Sequence, residues 1–367
     1  MTTGPDGAPR TVLWLVPVAD LGGVARHVLD ATRVGIPGWR IVVLCPPGPL
    51  AEQLRDQGTP VITGPVSPVD GALTAMRTVH RVLRRLRPDL LHTHLAFADV
   101  TGAAAVLAAR SGRGRRVRVV STEHGIAAGG RLYQRSAIAA RGKALMHRAR
   151  LHRTDRVIAV SESTRREVLA QWGRRAPVTV IRNGVDLPAK PVAPDRGLRF
   201  LSLARLAPEK RIDRVLDAFA VVVAEYPQAR LTIAGTGELQ QSICEHAARL
   251  GLSGQVDFIG HADPAAALRD HDVVVQLSAW ENLSYTLLDA VVHGRGVVAS
   301  DVGGNAEIVP HRCLVDAEDP LAVAGVMVVQ ATQLASRPTP RDLGESGQHG
   351  VRAMVTAIAG VYAEVIG

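Results

Sequence analysis

Two cations close together offer the clearest chemistry in this chain. Arg205 ends the apolar run Phe200–Arg205, and Lys210 follows after Leu206–Ala207–Pro208–Glu209 at the start of an amphipathic stretch. A strand's carboxyl end and a helix start brought together in this way let both side chains face one phosphate group. A diphosphate gains negative charge as its bond to a sugar breaks, so fixed cations stabilise that transition state more than the ground state. The lysine stands out on composition, because the only others are Lys143 and Lys190 and arginine carries nearly all the remaining positive charge. The plainer reading is a surface helix start with Glu209 paired to either cation.

A second constellation runs from Ser278 to Asp289 (SAWENLSYTLLD), followed by Asp301–Glu307 (DVGGNAE). On one continuous helix Glu281 and Asp289 would stand roughly 80° apart around the axis, poor geometry for one small site. With Glu281 in a loop and Asp289 in the helix, both reach one extended pocket, where a carboxylate can accept two hydrogen bonds from a ribose diol. The backbone at Asn282, Leu283 and Ser284, where that helix starts, would offer amides to phosphates. Gly22 and Gly23 open another helix, and Gly235–Thr236–Gly237 follows a strand; each is a weak signal alone. His92 and His94 share one side of a strand, as chelating residues would. No third ligand is evident near them in sequence, so no metal is expected. Asp270–His271–Asp272 reads as a helix-to-strand turn.

These residues need a scaffold that places them at strand ends. Short apolar runs alternate with longer amphipathic ones, the pattern of parallel α/β sheets. In the first half, strands are expected at 11–17, 40–44, 90–94, 118–122, 156–160 and 178–181, with helices at 24–32, 73–86, 96–109 and 163–171. Residues 183–197 carry no periodicity and read as a linker. The pattern then restarts, with strands at 199–204, 230–234, 256–259, 273–277 and 296–299. Helices are expected at 211–226, 239–250, 264–269 and 285–292, and a last one at 350–366. The expected domains are 1–185, a linker at 186–198, a second domain at 199–345, and a C-terminal helix at 346–367 that packs back toward the first. Ligands bind outside the carboxyl ends of such sheets, so two facing sheets would create one cleft.

The 367-residue length fits two cores, and 47% hydrophobic with 21% charged residues fits a globular chain. Three scattered cysteines without a CxxC pair point to a reducing cytoplasm. The net charge of +9 comes with arginines concentrated in the first half, including the 131–153 stretch. Such a face suits an anionic membrane or a phosphorylated acceptor, and equally a solvated helix surface. Aromatics at 3% leave little for base stacking, so nucleic acid is not expected.

The stretches LSLARLAPEKRIDRVLDAF, LTIAGTGEL, VDFIGH and LSAWENLSYTLLDAVVHGRGVVASDVGGNAEIV resemble the retaining glycosyltransferases of family 4, which have the GT-B fold of two Rossmann-like domains. LGGVARHVLDA, LLHTHL, VVSTEHG, VIAVSES and VIRNGVD add matches in the expected order. The resemblance implies that Arg205 and Lys210 hold the donor diphosphate, that Gly22 and Gly23 lie against the phosphates, and that Gly235 and Gly237 belong to a donor-side loop. It places Glu281 near the donor sugar hydroxyls, Asp289 on the ribose and His124 on the transferred sugar. Asp289 departs from the family's usual Glu, which shortens its reach by one methylene. The implied reaction moves a sugar from a nucleoside diphosphate, with UDP expected, to a hydroxyl on a glycan, lipid-linked or secondary-metabolite acceptor. Retention of configuration is expected, with no cofactor and no metal. A GT-B sugar-nucleotide epimerase and a non-catalytic sugar-nucleotide-binding protein are the alternatives.

Overall fold

The computed structural model describes residues 9–125, 137–188, 195–343 and 349–367. The chain divides into two compact units, one formed by Met1–Gly184 with Gly350–Gly367, the other by Val185–His349.

In the first unit the strands are β1 (Arg10–Leu15), β2 (Trp39–Cys45), β3 (Val61–Thr63), β4 (Leu90–His94), β5 (Arg118–Glu123), β6 (Arg156–Ala159) and β7 (Val178–Val180). They form one parallel sheet in the order β3-β2-β1-β4-β5-β6-β7. The helices are α1 (Gly23–Val34), α2 (Pro49–Asp56), α3 (Ala72–Leu86), α4 (Ala96–Ala105), α5 (Ala137–Arg150) and α6 (Glu162–Trp172). Strand alternation sorts β1 onto two cores. Val12, Trp14 and Val16 pack with Val28 of α1, whereas Leu13 and Leu15 pack with Val79 and Leu83 of α3.

The second unit has β8 (Arg199–Leu203), α7 (Ile212–Glu225), β9 (Arg230–Ala234), α8 (Gln240–Arg249), β10 (Val256–Gly260), α9 (Pro264–Asp270), β11 (Val273–Gln276), α10 (Tyr285–Val292), β12 (Gly296–Ser300), β13 (Leu314–Val315) and α11 (Pro320–Thr332). Its parallel sheet runs β10-β9-β8-β11-β12-β13. Phe200, Leu216, Phe219, Ile233, Val275 and Met327 belong to its core. The final helix, α12 (Val351–Ile366), belongs to the first unit: Val351, Val355, Ile358 and Tyr362, spaced three or four apart, enter the core beside Trp14. Trp14 Nε1 donates to Tyr362 Oη at 2.9 Å. Among the described residues no helix is long and apolar enough to cross a membrane.

Strands buried on both faces appear as unbroken apolar runs, which is why most were found within a residue or two. The differences have local causes. β3 and β13 are edge strands of three and two residues, too short to show a period. α2 begins at Pro49 directly after Gly48, inside a stretch that reads as a turn. α11 mixes apolar residues around its whole circumference, and α5 mixes arginines with alanines, so neither shows one clean stripe. The basic stretch at 131–153 is also not simply a face. Arg150 is buried and forms ion pairs with Asp99 (2.6 Å) and Glu123, and His147 stacks on Trp172 at 4.4 Å. Residues 131–136 of that stretch lie outside the described residues.

Candidate active site

In each sheet the strand order reverses direction at one point, between β1 and β4 in the first and between β8 and β11 in the second. Loops leaving the carboxyl ends of those strands diverge there and leave room for a ligand.

In the second unit, Arg205 lies just beyond β8 and Glu281 just beyond β11. Lys210 ends a 3-10 turn (Pro208–Lys210), not the first turn of α7; Arg211, at φ 50°, separates it from that helix. Lys210 Nζ forms an ion pair with Glu281 Oε1, and Ser278 Oγ donates to the same oxygen at 2.8 Å. Glu281 is therefore held from both sides, by a charge and by a hydroxyl. Arg205 Nη2 pairs with Glu209 Oε1 at 2.5 Å; the arginine side chain is 69% exposed, the glutamate only 3%. This is the pairing that the plainer sequence reading anticipated, and it leaves much of the guanidinium free, since the group carries five donors. The Glu209 carbonyl also accepts from Ala279 N at 2.8 Å, tying the β8 loop to the β11 loop.

Two glycine loops close against these residues. Gly303 has φ +56°, and a Cβ there would overlap the Glu281 carbonyl oxygen. Gly235 has φ +145°, and its Cβ would overlap the Ala204 carbonyl, next to Arg205. Side chains at both positions are excluded by conformation and by space. Gly237 makes a similarly close approach to the Leu206 backbone, and Leu206 N donates to Thr236 O at 3.0 Å.

Helix α10 starts beside Glu281. Ser284 caps it, accepting from Leu287 N at 3.3 Å and donating to Gln276 Oε1 at 2.8 Å. The hydroxyl is thus used internally, and what Ser284 can offer a ligand is backbone. Asn282, Leu283 and Asp289 are all buried, with Asp289 inside α10 and Glu281 in the loop before it. The structure brings together Arg205, Lys210, Glu281, Gly235 and Gly237 through direct contacts of their loops. Ser278, Glu209 and Gly303 complete the arrangement. All three stood within the motifs, but their roles depend on contacts across long sequence gaps.

In the first unit, Gly22 is the exposed N-cap of α1 with extended backbone (φ −174°), and a Cβ there would meet open space. Gly23, the first residue of α1, is also exposed. Local packing does not require a glycine at position 22, which leaves a ligand's approach as a reason for it. His124 follows β5 and faces His94, with His94 Nδ1 and His124 Nε2 2.9 Å apart. His27 of α1 lies against His124 at 4.7 Å between ring centroids. His27, His94 and His124 offer ligand nitrogens all within 4.8 Å of one another. The sequence shows no third candidate near His92 and His94; in the fold, His27 of α1 and His124 at the end of β5, far away in sequence, stand beside His94. His92 is excluded as a ligand, because Tyr362 Oη contacts its Nδ1 at 2.5 Å and Thr122 Oγ1 its Nε2 at 2.7 Å. Burial drives all four imidazoles toward the neutral form, His27 down to about 4. Asp272 is the buried partner of Arg199 at 2.8 Å, which accounts for the acidic turn at 270–272.

Comparison with known proteins places this geometry in context. Residues 21–188 match the family model for Glycosyltransferase Family 4, and residues 186–326 match that for Glycosyl transferases group 1. A glycogen synthase of Mycobacterium tuberculosis is 28% identical over 333 residues, covering 81% of this chain and 79% of the relative. A phosphatidyl-myo-inositol mannosyltransferase of the same organism is 35% identical over 156 residues, covering 40% of each chain. Among solved structures, Anabaena HepE in complex with UDP-glucose aligns with a TM-score of 0.82 at 22% identity, covering 96% of this chain and 99% of that one. A sucrose-phosphate synthase of Thermosynechococcus elongatus aligns with a TM-score of 0.74 at 19% identity, covering 97% and 98%. These likenesses show a GT-B fold with two Rossmann-like domains.

Proposed function

The chain belongs to the family 4 glycosyltransferases, enzymes that transfer glycosyl groups, and from that premise we propose that its donor is a UDP-sugar, transferred to a hydroxyl acceptor with retention of configuration. The observation that carries the donor assignment is the Lys210–Glu281–Ser278 group beside Arg205, at the point where the second sheet reverses its strand order. HepE, a structural neighbour, binds UDP-glucose at a comparable fold.

In this reading Arg205 shares its guanidinium between Glu209 and a phosphate. Its side chain is 69% exposed, and its five donors leave some to spare beyond the one that meets the buried Glu209. Lys210 supplies a second cation, while Glu281, held by Ser278, turns its free oxygen to sugar hydroxyls. Asp289 serves the ribose, and His124 serves the transferred sugar. The two cations neutralise the departing diphosphate directly, so the donor step requires no metal on the phosphates. The acceptor attacks on the face that the diphosphate leaves, and the departing phosphate takes the acceptor's proton. The protein's contribution is positioning and charge, without a covalent intermediate. The acceptor is a hydroxyl-bearing glycan, lipid-linked sugar or secondary-metabolite core.

The stereochemical claim is tested by proton NMR of purified protein with UDP-glucose and EDTA, read before mutarotation. Release of glucose as the α anomer at an undiminished rate is expected. The β anomer as first product would contradict retention, and loss of turnover in EDTA would contradict metal-free donor chemistry.

A further inference from the structure

We propose that His27, His94 and His124 form a binding site for a divalent transition-metal ion of the zinc class, built entirely within the first unit. The inference goes beyond the donor chemistry, with which it shares only His124. Three imidazoles converge, with all three ligand nitrogens within 4.8 Å of one another. A tetrahedral ion with metal–nitrogen bonds of about 2.0–2.1 Å needs its ligands closer than that, a change met by small ring rotations.

The unpartnered atoms carry the argument. His27 is 2% exposed and His94 fully buried, yet Nε2 of each finds no hydrogen-bond partner among the described residues. A buried polar atom left without a partner is costly, and two such atoms lie on the rings of this group, where His94 meets His124 Nε2 through its other nitrogen, Nδ1. His27 Nδ1 lies 3.3 Å from Asn183 Oδ1. An amide oxygen only accepts, so Nδ1 carries the proton and Nε2 presents its lone pair to the cluster. That is the outer partner by which metal-binding histidines are oriented. His92 flanks the group at 4.4 Å from His94 and has both nitrogens engaged, so it supports the site without entering it.

The donor set narrows the ion. Three imidazoles without a carboxylate suit zinc, copper or nickel and disfavour magnesium, calcium and manganese. With three neutral ligands the ion keeps its full charge, so a fourth place must go to water, hydroxide or another anion. His124 is the partly exposed member and borders that place. An ion bound there occupies the His124 nitrogen that the proposed function directs to the transferred sugar. Occupancy would therefore inhibit transfer, and this consequence alone rests on that function.

The test is a visible-absorption titration of the chelator-treated full chain with Co2+, followed by displacement with Zn2+. An intense band of four-coordinate Co2+, bleached by Zn2+, is expected. His27→Ala and His94→Ala should each abolish it, and Asn183→Ala should weaken binding roughly tenfold or more. Circular dichroism checks each variant's fold. If a core variant does not fold, His124→Ala, at the partly exposed ring, provides the same readout. No band in the wild type, a weak six-coordinate spectrum, or a band surviving loss of any folded ligand overturns the site. UDP calorimetry on the same preparations reports the donor residues separately. A failed metal site with intact UDP binding, or the reverse, then identifies which assignment is wrong.

Discussion

At the residue scale, the most consequential feature is how the charged groups are shared. Glu281 is held by Lys210 and Ser278, and Arg205 by Glu209, so the groups assigned to the donor are positioned before any ligand arrives. A different charge arrangement lies in the first unit, where Arg150 is buried between Asp99 and Glu123. One guanidinium cannot fully compensate two buried carboxylates. Burial raises Asp99 to about 7, and Arg150 only partly offsets it. A carboxyl raised in the folded state stabilises most below its ordinary value of 3.8, and that contribution fades as pH climbs toward 7. The melting temperature of the wild type relative to Asp99→Asn should therefore fall between those pH values. A difference that is constant or grows with pH would mean that Asp99 is ionised throughout. Arg205 and Lys210 were readable from sequence because charge type and strand-end position suffice to suggest phosphate chemistry. Glu209's burial was not, because it depends on what the folded loop covers.

At the scale of elements, the second unit's site is assembled by loops that press on one another. The central strands were the most readable because they are buried on both faces, as in β11, where all four residues are buried. The short edge strands and α2 were not, since two or three residues carry no measurable period. The histidine cluster was also hidden. Its members come from α1, β4 and the end of β5, and only the parallel order β1-β4-β5 makes them neighbours. Loop packing yields its own prediction. Gly303 adopts a left-handed conformation directly against the Glu281 carbonyl, so Gly303→Ala must displace one loop or the other. Sugar transfer should drop by at least about tenfold, as expected when positioning is lost, while circular dichroism stays native. Unchanged turnover would show that this contact does not position Glu281.

At the scale of the whole molecule, two parallel sheets each reverse strand order once, and the residues singled out from sequence gather at those reversals. The second sheet carries Arg205 and Lys210, the cations proposed to face the donor phosphates, and the first carries the histidines. The C-terminal helix α12 belongs with the first unit's core through Tyr362 and Ile358, so the end of the chain helps to hold β4 and its histidines. The donor assignment makes the second unit's residues necessary for nucleotide binding. Each charged hydrogen bond to a phosphate is worth about 1.5–3 kcal/mol, or roughly 10- to 100-fold in affinity.

The most direct test is calorimetric titration of the purified chain with UDP in EDTA, repeated on Arg205→Ala and Lys210→Ala. Saturable binding that tolerates EDTA and weakens by about 10- to 100-fold in each variant is the predicted result. Binding that requires a metal, or that is unchanged in both variants, would contradict the placement of the donor diphosphate on these two cations.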